Sequence, residues 1–167
     1  MTPIPLFAER ARENSLIDER TKLAAIDLGS LQRTLHFAKV AGMDIKKQVI
    51  IFDKGARNQD RQTKELQLIY GTIDSKDRIV MVDDAHDTGG SSDDAETFLQ
   101  EKHGISEIFQ FFTHGIFSYP ADKKIAARSK RGVVRKIFVT DSLPQAKFSF
   151  EDSDFVETLP VAKLLAW

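Results

Sequence analysis

The chain reads as an α/β domain with a mainly parallel sheet flanked by helices, and three observations predict it. Short apolar runs alternate with amphipathic stretches, and the connections between them are short. The runs are continuous, as in "VIIF" (49–52) and "IVMV" (79–82), a pattern expected of strands covered on both faces. Aspartate, glycine and hydroxyl residues recur directly after the strands, at the sheet rim where open α/β sheets bind ligands.

Taken in order, an amphipathic helix is expected over 4–14 and a first strand over 22–27 ("KLAAID"). Helical periodicity then covers 30–41, and "QVIIFD" (48–53) gives the second strand. The segment 54–70 is poorly punctuated and reads as a mobile loop or a short helix. "RIVMVD" (78–83) is the third strand, followed by a helix over 92–103. Further strands are expected at 107–112, 135–140 and 154–159, with helices at 119–130 and 160–166. The rim residues are then Asp27-Leu28-Gly29-Ser30, Asp53-Lys54-Gly55, Asp83-Asp84, Thr113-His114-Gly115 and Asp141-Ser142.

The whole sequence, 167 residues, suits one domain with a real core, residues 1–21 forming a helical lead-in. A formal charge of -1 gives no reason to expect nucleic acid or an anionic membrane as partner. There is no cysteine, so disulfides and thiolate metal sites are excluded, which fits a reducing compartment. The opening "MTPIPLFAERARENS" lacks the pattern of a secretory signal, and no apolar run reaches the length of a membrane span. The expectation is a cytoplasmic domain.

The densest chemistry lies in "RIVMVDDAHDTGGSSDD" (78–94). Here the chain must leave a strand, turn and start a helix. Gly89 and Gly90 remove the Cβ atoms that would keep a ligand from the backbone. Ser91 is the expected N-cap, with Asp94 three residues on in capping-box position. Backbone N–H groups from Asp87 to Ser92 would converge at the helix start, an anion site. Asp83 and Asp84 suit sugar hydroxyls or a hydrated Mg²⁺, which takes few protein carboxylates. A phosphate cradle beside a diol or metal site fits a sugar phosphate. A side chain at Gly89 is expected to enter the cradle and leave the fold intact. The helix start alone supplies only about 0.3–2 kcal/mol, whereas micromolar binding needs about 8 kcal/mol. A metal and other loops must therefore contribute.

Two other motifs compete. "DTGGSS" resembles the catalytic string of aspartic proteases, but those require apolar residues before the aspartate, where Ala85-His86 stand here. The acidic pair of response regulators follows the first strand, and here the pair follows the third.

On these residues the chain resembles a known family. "IVMVDDAHDTGGS" resembles the phosphoribosyl-pyrophosphate (PRPP) motif of type I phosphoribosyltransferases. With "FFTHGIFS" and "VTDSLP" downstream, it resembles more narrowly the ribose-phosphate diphosphokinases, or PRPP synthetases. The resemblance runs from about residue 22 to the end and covers the carboxy-terminal of that family's two similar domains. It implies a Rossmann-like phosphoribosyltransferase fold and a homo-oligomer. It implies that Asp87, Thr88, Gly89, Gly90 and Ser91 hold the 5-phosphate of ribose 5-phosphate or PRPP, with Asp83 and Asp84 at the hydroxyls and Mg²⁺. "IDLGSLQRT" (26–34) resembles the pyrophosphate-side loop, giving Asp27, Leu28, Gly29 and Ser30 that role. "IIFDKGAR" (50–57) resembles the segment leading into the catalytic loop, with Lys54 in the place of the catalytic lysine.

The activity implied is Mg²⁺-dependent transfer of the β,γ-diphosphoryl group of ATP to the 1-hydroxyl of ribose 5-phosphate, in nucleotide biosynthesis. Departures bear on it. The arginine expected two positions after the lysine is Ala56, and Arg57 stands one step off as its substitute. Ala25-Ile26 replace the usual Ser-Pro. The amino-terminal domain that supplies much of the ATP site has no counterpart here, so ATP would need a second domain or chain. "ARNQDRQ" (56–62) echoes a string from that domain in the wrong place and reads as coincidence. The alternatives are a compact phosphoribosyltransferase using PRPP, for which no base-binding segment is recognisable, and a non-catalytic PRPP-binding regulatory module.

Elsewhere, His114 after "FFT" reads as a turn-fixing residue on the site's wall. His36 and His103 lie on expected helices, and His86 stands where the motif is usually apolar. The basic run 122–136 reads as a solvated helix face, or alternatively as a subunit or effector-phosphate contact. Phe109, Phe111 and Phe112 are expected in the core.

Overall fold

The computed structural model describes residues 2–54, 66–119, 121–144 and 154–166. Helix α1 (Ile4–Glu13) leads into β1 (Thr21–Ala25), α2 (Leu31–Ala41), the single turn α3 (Ile45–Gln48) and β2 (Val49–Lys54). Then come β3 (Leu66–Tyr70), β4 (Arg78–His86), α4 (Gly90–His103), β5 (Ile108–Gly115), α5 (Ala121–Arg131), β6 (Val134–Thr140) and β7 (Val156–Leu159), closed by a 3₁₀ turn at Val161–Ala166. The strands form one sheet in the order β3-β2-β1-β4-β5-β6-β7. Every pairing is parallel except β2 with β3.

The continuous apolar runs bury side chains alternately to the two faces. Ile79 and Met81 join Ala95 and Leu99 of α4 and Ile125 of α5 on one side. Val80 and Val82 join Phe7 of α1 and Phe37 of α2 on the other. Phe111 anchors that second core, stacked on Phe138 at 4.5 Å and tilted against Phe7 and Phe37. Phe112 is buried toward α4, and Phe109 packs at the margin of the second core. Among the described residues no helix is long and apolar enough to cross a membrane.

The structure corrects the expected elements in four places. A strand, β3, closes the sheet inside the segment read as loop or short helix. Its Leu66 and Leu68 pack on the core while Gln67 between them does not, a period-two signal hidden at the end of a polar stretch. Being an edge strand, it leaves Ile69 and Tyr70 exposed. Strand β4 runs on to His86, so Asp83 and Asp84 lie within the strand. The short helix α3 was not expected, and the terminal helix at 160–166 is the 3₁₀ turn.

Candidate sugar-phosphate site

The rim formed by β1, β4, β5 and β6 collects most of the residues singled out by sequence. At the β4–α4 junction the chain turns through Asp87 and Thr88, both exposed, to Gly89. Gly89 has φ +79° and is itself the N-cap of α4, which begins at Gly90. The first intrahelical bond is Asp93 N–H to Gly89 C=O at 2.9 Å. Ser91 therefore lies inside the helix, and the expected Ser91–Asp94 capping box does not form the helix start. A left-handed glycine closes the turn and leaves the first N–H groups without a side-chain cap.

The space around the two glycines differs. A Cβ on Gly89 would lie 3.0 Å from His86 Cε1 and 3.5 Å from Arg128 Nη1, so it points into the protein. A Cβ on Gly90 would meet nothing within 4 Å. The expectation that a side chain at Gly89 enters the cradle harmlessly is thereby overturned: the substitution strains the backbone and presses on His86. Gly89→Ala is expected to lower the unfolding free energy by about 1–3 kcal/mol. Gly90→Ala should be neutral or slightly stabilising, because the helix gains a better former in open space. Chemical denaturation of both variants checks the contrast.

Beneath Gly89 lies a buried polar network. Arg128 of α5 is 1% exposed. Its Nε donates to Glu96 Oε2 at 2.9 Å, and its Nη2 donates to Gln110 Oε1 at 2.7 Å and also to Glu96 Oε1. Gln110 Nε2 donates to Glu96 Oε1 at 2.7 Å, closing the ring. Arg128 Nη1 lies 2.7 Å from His86 Nε2. A guanidinium can only donate, so Nε2 accepts and the ring proton sits on Nδ1. The imidazole rests against Phe112 and Phe117. Burial, followed by the Arg128 charge, lowers the His86 pKa to about 4. Burial also lowers Arg128 to about 10, which leaves it charged at neutral pH. In the first turn of α4, Asp93 faces Arg128 at 3.4 Å, Lys124 at 3.5 Å and Arg131 at 3.8 Å. The basic run is thus a solvated face only in part: its central arginine is core, and its neighbours neutralise Asp93.

On the other side of β4, the loop 27–30 is closed on itself. Ser30 N–H donates to Asp27 Oδ1 at 2.7 Å, and Ser30 Oγ donates to the Asp27 carbonyl at 2.9 Å. Asp27 thus closes the turn that starts α2, and Leu28 at its tip is exposed. Arg33, in the first turn of α2, reaches the acidic pair: Nη1 is 3.3 Å from Asp83 Oδ1 and Nη2 is 3.7 Å from Asp84 Oδ1. Asp83 Oδ1 also accepts the Asp84 N–H at 2.8 Å. Burial raises the Asp83 pKa, and the Asp27 and Asp84 carboxylates push the same way against Arg33 and the N–H bond. The loop 27–30 and the acidic pair therefore share one electrostatic neighbourhood, in which Arg33 is a cation. Sequence reasoning missed Arg33, although its place three residues after Ser30 was a signal.

A cavity of about 470 Å³ opens beside the pair, walled by Arg33, Asp84, Thr113, His114, Thr140 and Ser142. His114 Nδ1 is 2.7 Å from Ser142 Oγ, which itself donates to the Thr113 carbonyl at 3.0 Å. His114 therefore donates from Nδ1 and ties the loop after β6 to the end of β5. His36 is exposed, and His103 packs against Phe98. Lys54 ends β2, one strand beyond β1, while its side chain, the side chain of Ser91, and Ala56 and Arg57 altogether lie outside the described residues.

The pair also meets the demands of a hard divalent cation. Two carboxylates supply oxygen donors, and the Asp84 side chain is 61% exposed beside a cavity with room for water. Among the described residues no cluster of three or more His, Asp or Glu forms a metal site. A cation there would thus be held as Mg²⁺ often is, by few carboxylates, with water and ligand oxygens completing its shell.

A seven-stranded sheet with an antiparallel edge, an acidic pair on its central strand and a glycine-started helix beyond defines a phosphoribosyltransferase-type α/β domain. Its structure superposes on the adenine phosphoribosyl transferase from Trypanosoma brucei in complex with AMP, pyrophosphate and ribose-5-phosphate with a TM-score of 0.53, at 14% identity over 95% of this chain and 63% of that one. Agreement is better with the phosphoribosylpyrophosphate synthetase from Mycobacterium smegmatis, at TM-score 0.76 and 22% identity over 99% of this chain and 49% of that one. In sequence, the chain is similar to part of several ribose-phosphate pyrophosphokinases. It is 31% identical to that of Helicobacter pylori over 161 residues, which is 96% of this chain and 45% of the relative. Against the enzyme of Wolinella succinogenes it is 30% identical over 144 residues, or 86% and 41%. Against that of Vibrio parahaemolyticus it is 34% identical over 140 residues, or 84% and 41%. The chain thus spans less than half the length of these three relatives. No family model matches it.

Proposed function

We propose that this domain binds ribose 5-phosphate or PRPP with Mg²⁺ and serves Mg²⁺-dependent diphosphoryl transfer from ATP, completed by a second domain or chain. The observation that carries the reading is the β4–α4 junction. Asp83 and Asp84 stand on the strand, and five residues after Asp84 a left-handed glycine opens the start of α4 without a side-chain cap. The 5-phosphate would lie against the N–H groups of Thr88 to Ser91, and the ribose hydroxyls against the acidic pair. Asp27 to Ser30 would face the diphosphate. Asp83 and Asp84 would hold Mg²⁺, which when bound neutralises charge on the diphosphate. In the transfer, the 1-hydroxyl oxygen of ribose bonds to the β-phosphorus of ATP, the bond from that phosphorus to the α–β bridging oxygen breaks, and AMP leaves. The hydroxyl proton passes to solvent. Lys54, assisted by Arg57, is the cation assigned to the transferring group. Such chemistry rests on positioning and electrostatics, with no protein nucleophile. A reducing, cytoplasmic setting belongs to the same proposal, from the absence of cysteine.

Calorimetry with ribose 5-phosphate and PRPP in Mg²⁺ tests the reading. Heat of binding for at least one is expected, and binding of neither refutes it. Gly90→Val places a side chain in the open space at the helix start. It is expected to weaken sugar-phosphate binding by about tenfold or more at nearly unchanged stability. A second reading, a regulatory module that binds PRPP without turnover, is favoured by Ala56 in the place of the expected arginine. Diphosphokinase assays with and without an ATP-domain partner separate the two.

A further inference from the structure

We propose that Arg33 is an exchangeable counter-ion: its guanidinium neutralises Asp83 and Asp84, and a divalent cation arriving on those carboxylates displaces it toward an anionic diphosphate in the adjoining cavity. The inference rests on the sugar-phosphate reading above and adds to it a residue with two successive partners.

Arg33 grips neither carboxylate firmly. It offers one nitrogen to each, at 3.3 Å and 3.7 Å. Charge-assisted pairs in a forked geometry close to about 2.7–2.9 Å. Both contacts fall on Oδ1, and among the described residues Oδ2 of neither aspartate carries a hydrogen bond. The guanidinium is thus shared between two acids, with Asp27 a third acid near enough to act on Asp83. Among the described residues, one positive charge faces three negative ones, which leaves room for a further cation, and a divalent ion neutralises the acids better.

The side chain also has somewhere to go. Arg33 is 30% exposed at its side chain and forms the cavity wall together with Asp84. A rotamer change of this long side chain would be enough to swing the guanidinium into the cavity it already lines. A planar guanidinium also matches the oxygens of a diphosphate. The same residue therefore offsets the repulsion between the acids before the metal arrives and meets the diphosphate after it.

A fixed structural clamp and an exchangeable counter-ion predict different signs. Arg33→Gln in the full chain is expected to bind Mn²⁺ alone, the paramagnetic stand-in for Mg²⁺, about tenfold more tightly, read from loss of the free-ion electron paramagnetic resonance signal. The same variant is expected to bind inorganic pyrophosphate in Mg²⁺ about tenfold more weakly by calorimetry. Arg33→Lys should recover most of the pyrophosphate affinity. If Arg33→Gln proves unfolded by thermal melt, Arg33→Lys carries the metal arm, because one ammonium cannot span both carboxylates, and tighter Mn²⁺ binding is again expected. Weakening of both ligands, unchanged Mn²⁺ affinity, or no Mn²⁺ uptake by wild type and variant alike would overturn the proposal. Failure of the wild type to bind either sugar phosphate would instead remove the functional reading, and the Mn²⁺ arm would still decide whether Arg33 and the cation compete.

Discussion

Arg128→Met is expected to lower the unfolding free energy by about 3–5 kcal/mol, the usual cost of removing one partner from a buried ion pair. The guanidinium is 1% exposed and Glu96 is 3% exposed, so the remaining carboxylate would be stranded away from water. His86 Nε2 and Gln110 Oε1 would lose their donor in the same step. Methionine has a comparable volume, so the loss would report unpaired polarity rather than a cavity. The pair itself is weak evidence of net stability, since both ions are desolvated. Adding Glu96→Leu to Arg128→Met should therefore recover part of the loss, with Gln110 still unsatisfied. Urea unfolding of the two single variants and the double variant checks this. A double variant as unstable as the sum of the singles would show that Arg128 and Glu96 are not energetically coupled. The effect should extend to the cradle, because Arg128 Nη1 and the His86 ring together underlie Gly89.

That network shows where reading the chain stops. The β4–α4 junction was legible because its parts are contiguous: apolar run, acidic pair, Asp-Thr-Gly-Gly within a dozen residues of one another. The parallel sheet was legible from continuous apolar runs, which betray strands covered on both faces. Arg33 and Asp83 are 50 residues apart, His86 and Arg128 are 42 apart, and Glu96 and Arg128 are 32 apart. No local pattern joins them. Arg128 lies among lysines and arginines that do face solvent, so composition assigned it to the wrong environment. His86 differs from a surface histidine only through what α5 brings against it. The misplaced helix cap has a local cause: a left-handed Gly89 ends the turn without needing a side chain, and the serines after it became ordinary helix. Strand β3 was hidden because three of its five residues are exposed at a sheet edge.

The second large effect is on pH, and His86 sets its sign. In the unfolded chain the imidazole titrates near its ordinary 6.5, whereas burial, followed by the Arg128 charge, lowers it to about 4 in the fold. Between those values the unfolded state holds the extra proton, so stability rises with pH from about 4 to 6.5. Read downward, stability present above pH 6.5 is lost progressively toward pH 4 and no further below it. The full difference corresponds to about 3 kcal/mol, at 1.36 kcal/mol per pH unit. Asp83 acts in the opposite direction: its folded pKa is raised, so it favours the fold as pH falls through that raised value. The measurement is therefore the difference between wild type and His86→Leu, followed by urea midpoints from pH 4 to 8. The variant should start less stable at pH 8, because Arg128 Nη1 loses its acceptor, yet show a flatter profile below 6.5. The two curves should converge toward pH 4, where wild-type His86 takes up its proton beside a guanidinium that repels it. Parallel curves would mean that His86 titrates alike in the folded and unfolded chain, and that its place under the cradle costs nothing in acid.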